Sequence, residues 1–178
     1  MSKQHVEREV GGHDGLGYSR FKRYRDAFMR AEHCIESGYY LEAIAILDSL
    51  ITDRLASRVA HLTQKPVTER STCGQLAGQL LQGVERDPEF QNVVSAIKTW
   101  VDRRNAAMHA TAKIMRRRDA EVAFATLLAG HAEDARAGVD LLIAFDNLDT
   151  ASRLLVGKRP ATQPGAFRRK AATPVDGA

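Results

Sequence analysis

Cysteine is scarce in this chain of 178 residues: Cys34 and Cys73 are the only two, far apart and in no CxxC or other metal-type spacing. That argues against a disulfide scaffold and a zinc ribbon, and makes a reducing, cytoplasmic setting the expectation. Long apolar runs are missing as well. None approaches the roughly 20 residues that a membrane-spanning helix needs, so no membrane association is expected. Met1 to Tyr18 offers no apolar stretch of the kind a secretory signal carries. The glycines of 11 to 17 neither follow a strand nor lead into Gly-Lys-Ser/Thr, so they make no phosphate loop. HExxH and the Gly-x-Ser-x-Gly nucleophile elbow are absent too. Glu32, His33 and Cys34 are metal-ligating types, but as neighbours on a helix they point in different directions and cannot all reach one ion. No metal and no cofactor is called for.

What the chain does contain is an ordinary globular composition. Hydrophobic residues at 44% and charged residues at 27% argue against wholesale disorder, and the length suits one domain with a tail. The formal net charge is +4, and its location matters more than its size. Lys158 to Ala178 holds five basic residues against Asp176 alone, which accounts for the whole excess and leaves residues 1–157 balanced. Within that balanced body, Lys98 to Arg118 carries seven basic residues against Asp102. A focused basic patch on a neutral body suits a phosphate-bearing ligand at one place; a solvated helix face is the bland alternative.

Apolar spacing predicts an all-α protein. Met1–Tyr18 reads as a flexible, Gly-rich arm. From Ser19, a candidate cap, Phe21, Tyr24, Phe28, Ala31 and Ile35 recur at helical steps until Gly38 ends the helix. A second helix, about Tyr39 to His61, carries the stripe Leu41, Ile44, Leu47, Leu50, Ile51, Leu55 and Val59. Ser71 or Thr72 caps a short helix that ends near Gly83, and Asp87-Pro88 starts the next, with Phe90, Val93, Val94, Ile97, Trp100 and Val101. A final helix begins between Asn105 and Asp119 and fades near Gly157, with Gly130 and Gly138 weakening its continuity. The helical domain is thus 19–157. Beyond it, Pro160, Pro164, Pro174 and the five basic residues predict a disordered basic tail over 158–178, unable to fold alone.

One segment carries recognisable chemistry: Arg104-Asn105-Ala106-Ala107-Met108-His109. Arginine is a permanently charged, bidentate phosphate ligand, and histidine titrates near neutrality. Those two functions are what metal-free RNA cleavage requires. Arginine neutralises the scissile phosphate; histidine takes the 2′-hydroxyl proton or protonates the leaving 5′-oxygen. Spacing sets a condition. On a regular helix Arg104 and His109 lie about 140° apart around the axis, whereas Asn105 and His109 share a face. The pair converges only if the helix breaks between them or two copies meet, and Ala106 and Ala107 leave room for close approach. Arg103, Lys113, Arg116, Arg117 and Arg118 are candidates for holding the RNA backbone without reading sequence. Trp100 falls on the Val93–Ile97–Val101 side and reads as core or dimer interface.

This string resembles the motif of the HEPN-domain ribonucleases, an arginine followed after four to six residues by a histidine, including the polar residue directly after the arginine. Leu47 to Leu55, with Asp53-Arg54-Leu55, is similar to the acidic-Arg-Leu stretch of many HEPN second helices. The resemblance spans about Arg20 to Gly157. It implies a four- or five-helix up-and-down bundle, forming a homodimer whose two subunits line one cleft. It also implies a metal-independent endoribonuclease acting on RNA as a toxin or defence effector, with an antitoxin or inhibitor protein as a further partner. By motif position it implies Arg104 and His109 as the catalytic pair, Asn105 as the residue that orients them, and Asp53 as a supporting polar group. Many family toxins controlled by a nucleotidyltransferase antitoxin carry a tyrosine two residues after the histidine. Thr111 stands there in this chain, a departure from that mode of control. Two other readings fit the same residues. One is a catalytically inactive HEPN-like domain that binds nucleic acid or nucleotide. The other is a helical-bundle interaction module, with Arg104 paired to Asp102 or Asp119 and His109 at a helix cap.

Overall fold

A hairpin of two long helices opens the described chain, and Gly38 makes its turn. The computed structural model describes residues 16–110, 124–157 and 166–169. Helices α1 (Leu16–Glu36) and α2 (Tyr40–Thr63) are joined by three residues. Gly38 has φ 80°, a left-handed conformation that glycine adopts without a Cβ penalty. The Tyr39 N–H then donates to the Cys34 carbonyl at 2.7 Å and the Gly38 N–H to Ile35 at 3.2 Å, the paired bonds that close a helix C-terminus. At its other end α1 begins at Leu16, so Ser19 lies inside the first turn and does not cap it.

Helix α3 (Cys73–Gln79) is fixed by a reciprocal cap. The Gln75 N–H donates to Thr72 Oγ1 at 3.3 Å, and the Thr72 N–H to Gln75 Oε1 at 2.9 Å. It runs into a π-type turn (Leu80–Val84) whose penultimate residue, Gly83, has φ 105°. Helix α4 (Pro88–Ala110) starts where the sequence placed it, with Asp87 Oδ1 accepting the Glu89 N–H at 2.8 Å. Two helices follow the next described residues, α5 (Phe124–Ala129) and α6 (Ala132–Leu155). The single final helix of the sequence reading is therefore divided, at Gly130-His131, while Gly138 does not interrupt α6. Among the described residues every regular element is helical, and no described helix is long and apolar enough to cross a membrane.

Helix α2 is central, packing on α1, α3 and α6, while α4 packs on α6 and α3. The stripes read from the sequence meet in one core: Phe28, Leu47, Ile51, Leu55, Ile97 and Leu142 are all fully buried. Phe90 and Phe145 meet edge to face at 5.7 Å. Trp100 is at the centre of the α4–α6 contact, its Nε1 donating to the Asp134 carbonyl at 2.7 Å. Gly138 has a packing reason: a Cβ there would come within 2.9 Å of Trp100 Cζ2 and 3.1 Å of Leu47 Cδ1. The missing side chain is what lets α6 close on the indole.

The α2–α6 contact also buries charge. Asp149 accepts from Arg54 Nη2 at 3.0 Å and Arg153 Nε at 3.0 Å, and lies 3.5 Å from Arg58 Nη1. Arg58 Nε donates to Glu85 at 2.7 Å, and its guanidinium lies 3.8 Å over the Phe90 ring. Arg54 Nε is 3.0 Å from Asp146 Oδ1, close enough for an ion pair but not aligned for a hydrogen bond. Three arginines thus face three carboxylates out of water, a balance that holds each charge only while its partners remain. Burial is the larger influence on Asp146 and pushes its pKa upward against the attraction of Arg54.

Part of the predicted tail is not loose. Ala166 and Phe167 are buried, and the Phe167 ring stacks on Tyr24 at 6.0 Å and meets Phe28 edge-on at 5.7 Å. A segment too polar to fold alone can still add one aromatic side chain to a core that already exists, and for 166–169 that corrects the disordered-tail expectation.

Candidate functional site

Helix α4 continues without a break through the whole Arg104–His109 string to Ala110. Its residues there divide by face. Ala107 is buried against the bundle, Arg104 and Asn105 are half-buried, and Asp102, Arg103, Ala106, Met108 and His109 are exposed. Because no kink intervenes, the rotation of about 140° per five residues applies, and Arg104 and His109 of one chain point apart. Arg104 and Asn105 are brought together; His109 is not brought to them. His109 lies in the last described turn of α4.

Arg104 is held from two sides. Its Nη1 donates to Asn105 Oδ1 at 2.7 Å, and its Nη2 donates to Asp48 Oδ1 on α2. Its Nε is buried without a hydrogen-bond partner. Among the described residues its charged partner is not Asp102 but a carboxylate 56 positions away, brought in by the packing of α2 beside α4, while Asp119 lies outside the described residues. Asp48 was not singled out by the sequence, and no local pattern could have found it; its only signal is a carboxylate adjoining the Leu47–Leu50–Ile51 stripe.

The same carboxylate borders Cys73, the first residue of α3. Burial, and then the negative charge of Asp48, push the Cys73 thiol up to about 12, against weaker opposing effects from Thr52 and Arg104. The thiol is therefore a buried neutral group and no nucleophile at ordinary pH. The polar cluster at this spot is Asp48, Thr52, Cys73, Arg104 and Asn105, at the contact of α2, α3 and α4.

The other candidates lie apart from that cluster. Asp53, five residues beyond Asp48 and so about 140° around α2, accepts a hydrogen bond from the Tyr24 hydroxyl of α1. Arg103 points to the other side of α4, its Nε 2.9 Å from Asp134 at the start of α6. Lys113, Arg116, Arg117 and Arg118 lie outside the described residues. Chemically, the described site offers an oriented guanidinium and, five residues on along the same helix, an exposed imidazole. No family model, no curated protein and no solved structure matches the chain.

Proposed function

We propose that this chain is a HEPN-type endoribonuclease that cleaves RNA through the ribose 2′-hydroxyl without a metal ion, as the toxin or defence effector of a toxin–antitoxin-like system. One observation carries the reading: α4 holds Arg104 in place through Asp48 and Asn105 and presents His109, exposed, five residues on. The basic run of 113–118 follows directly in sequence. In the proposed reaction Arg104 binds the scissile phosphate and neutralises charge developing on its oxygens. His109 takes the 2′-hydroxyl proton, the 2′-oxygen bonds to phosphorus, and the bond to the 5′-oxygen breaks. The leaving oxygen takes its proton from water, and the imidazolium returns the 2′-hydroxyl proton to solvent. Because the two side chains point apart on an unbroken helix, the working site is shared by two copies, each giving its arginine to the other's histidine.

The test is incubation with tRNA and mRNA in EDTA, with end analysis of the products. Expected are 5′-hydroxyl and 2′,3′-cyclic or 3′-phosphate ends, no cut at a 2′-deoxy position, and loss of cleavage in Arg104→Ala and His109→Ala with the fold intact. His109→Ala should lose more than Arg104→Lys, which keeps charge but not the two-pronged guanidinium. A second reading draws on the Arg104–Asp48 pair itself, which would serve equally as a structural clamp between α2 and α4. On that reading the protein is an inactive HEPN-like domain that binds nucleic acid or nucleotide, or a helical interaction module. RNA binding without cleavage would select the former, and a tight protein partner without RNA binding the latter.

A further inference from the structure

The best-defined contact that the α4 site does not use is the seat of Phe167. Its ring enters a slot between α1 and α6, with Tyr24 stacked on it and Phe28 against its edge. The slot walls belong to the bundle: Phe28 is part of the core, and the Tyr24 hydroxyl donates to Asp53 on α2. Outside the slot the same segment carries two arginines, one of them against an exposed carboxylate. Arg169 pairs with Asp140 on α6, and Arg168 borders a cavity of about 430 Å³ that Asp146 also lines. The cavity runs along α6 between Ile143 and Thr150 beside the Phe167 ring.

We infer that the α1–α6 slot is a recognition site for a short peptide with an aromatic residue followed by two arginines, and that this chain's own residues 166–169 occupy it in cis. The aromatic walls supply the affinity, and the exposed carboxylate of Asp140, paired with Arg169, favours a basic segment over a neutral one. The strength required follows from linkage arithmetic. A ligand carried on the same chain experiences an effective concentration on the order of 1 mM, so nine-tenths occupancy requires a dissociation constant of about 0.1 mM for the free peptide.

The experiment uses the full chain in wild-type and Phe167→Ala forms and a capped peptide of residues 164–171, with binding followed by amide chemical shifts. The peptide should saturate the variant near that constant, shift α1 and α6 residues, and bind wild type at least tenfold more weakly because the slot is already filled. A peptide with alanine in place of its phenylalanine should bind neither protein. Absence of binding to the variant, or equal binding to both proteins, would overturn the inference. A wild-type dimer dispersed to monomer by Phe167→Ala would overturn the cis assignment, because a second copy's tail would then be the occupant. Should the variant fail to fold, chymotrypsin on the wild-type chain decides. Cleavage after Phe167 should be at least tenfold slower than in the free peptide, and equal rates would overturn the inference.

Discussion

Asp149→Ala tests the buried charge cluster most directly, because this one carboxylate serves three arginines. Asp149 has no exposed surface, and it accepts from Arg54 and Arg153 at 3.0 Å each, with Arg58 at 3.5 Å. Removing it leaves Asp146 and Glu85 to balance three cations that are themselves almost wholly buried. Breaking a buried ion pair from one side costs about 3–5 kcal/mol, since the remaining charge stays out of water without a partner. Two lost charge-assisted hydrogen bonds, at about 1.5–3 kcal/mol each, give a comparable figure. A domain of this size has on the order of 5–15 kcal/mol in total, so the variant should approach the edge of folding. With a shift of about 2–4 °C per kcal/mol for chains of this length, the unfolding midpoint should drop by roughly 6–20 °C by circular dichroism. Asp149→Asn nearly preserves volume, so it should suffer almost as much if charge and not cavity is the cause. A loss under about 1 kcal/mol in urea titrations of Asp149→Ala would refute the reasoning, showing that the arginines find water or other partners.

Gly138→Ala should destabilise by about 1 kcal/mol: the gain in helix propensity is of that order, but overpacking against the Trp100 ring costs about 1–3 kcal/mol. A more stable variant in urea unfolding would show that the indole yields freely. Cys73 should resist thiol reagents at pH 8 until the protein is unfolded. Its raised pKa means the folded thiol stays protonated while the unfolded one, near 9.0, ionises. The corresponding stability is complete below about 9 and lost as pH rises toward about 12, so Cys73→Ala should flatten the alkaline fall in stability; an unchanged profile would count against it. Replacing Arg116, Arg117 and Arg118 with Ser should weaken RNA binding and flatten its salt dependence through fewer released counterions, with a smaller loss of maximal rate than in His109→Ala. An unchanged salt slope would mean that those arginines touch no phosphate.

The elements most legible in the sequence are those fixed by neighbours in the chain. Gly38, Thr72 and Asp87-Pro88 are local devices, and each ends or begins a helix as its residue type predicts. The apolar stripes were equally plain, because a helix face repeats at a fixed period. Gly130 and Gly138 look alike in sequence, yet one divides two helices and the other admits Trp100, a distinction made entirely by a ring on another helix. The buried cluster did leave a trace. Arg54 and Arg58 continue the Leu47–Ile51 spacing on α2, and Asp149 and Arg153 continue the Leu142–Phe145–Asp146 spacing on α6. Charge of opposite sign at core positions of two helices is a signal that they meet. Asp48 beside Arg104 and Phe167 beside Tyr24 left none, because contacts across so many residues depend on packing that no local period encodes.

The continuity of α4 gives the proposed chemistry its most demanding consequence. A kink between Arg104 and His109 would have let one chain form a complete site, and activity would then be indifferent to concentration. With the helix unbroken through Ala110, a phosphate held by Arg104 lies away from the same chain's imidazole, since no side-chain rotation spans about 140° of helix surface. On the proposed mechanism, cleavage therefore depends on association, and on which subunit carries which residue. A mixture of Arg104→Ala and His109→Ala chains, each inactive alone, should recover activity when dimers exchange, because a mixed dimer retains one intact Arg–His combination across its two-fold axis. The recovered rate at equal mixing should be about a quarter of wild type: half of the dimers are mixed, and each has one working site of two. No recovery after verified exchange, or full activity in chains shown by sedimentation to be monomeric, would mean that the arginine and histidine do not act across two copies.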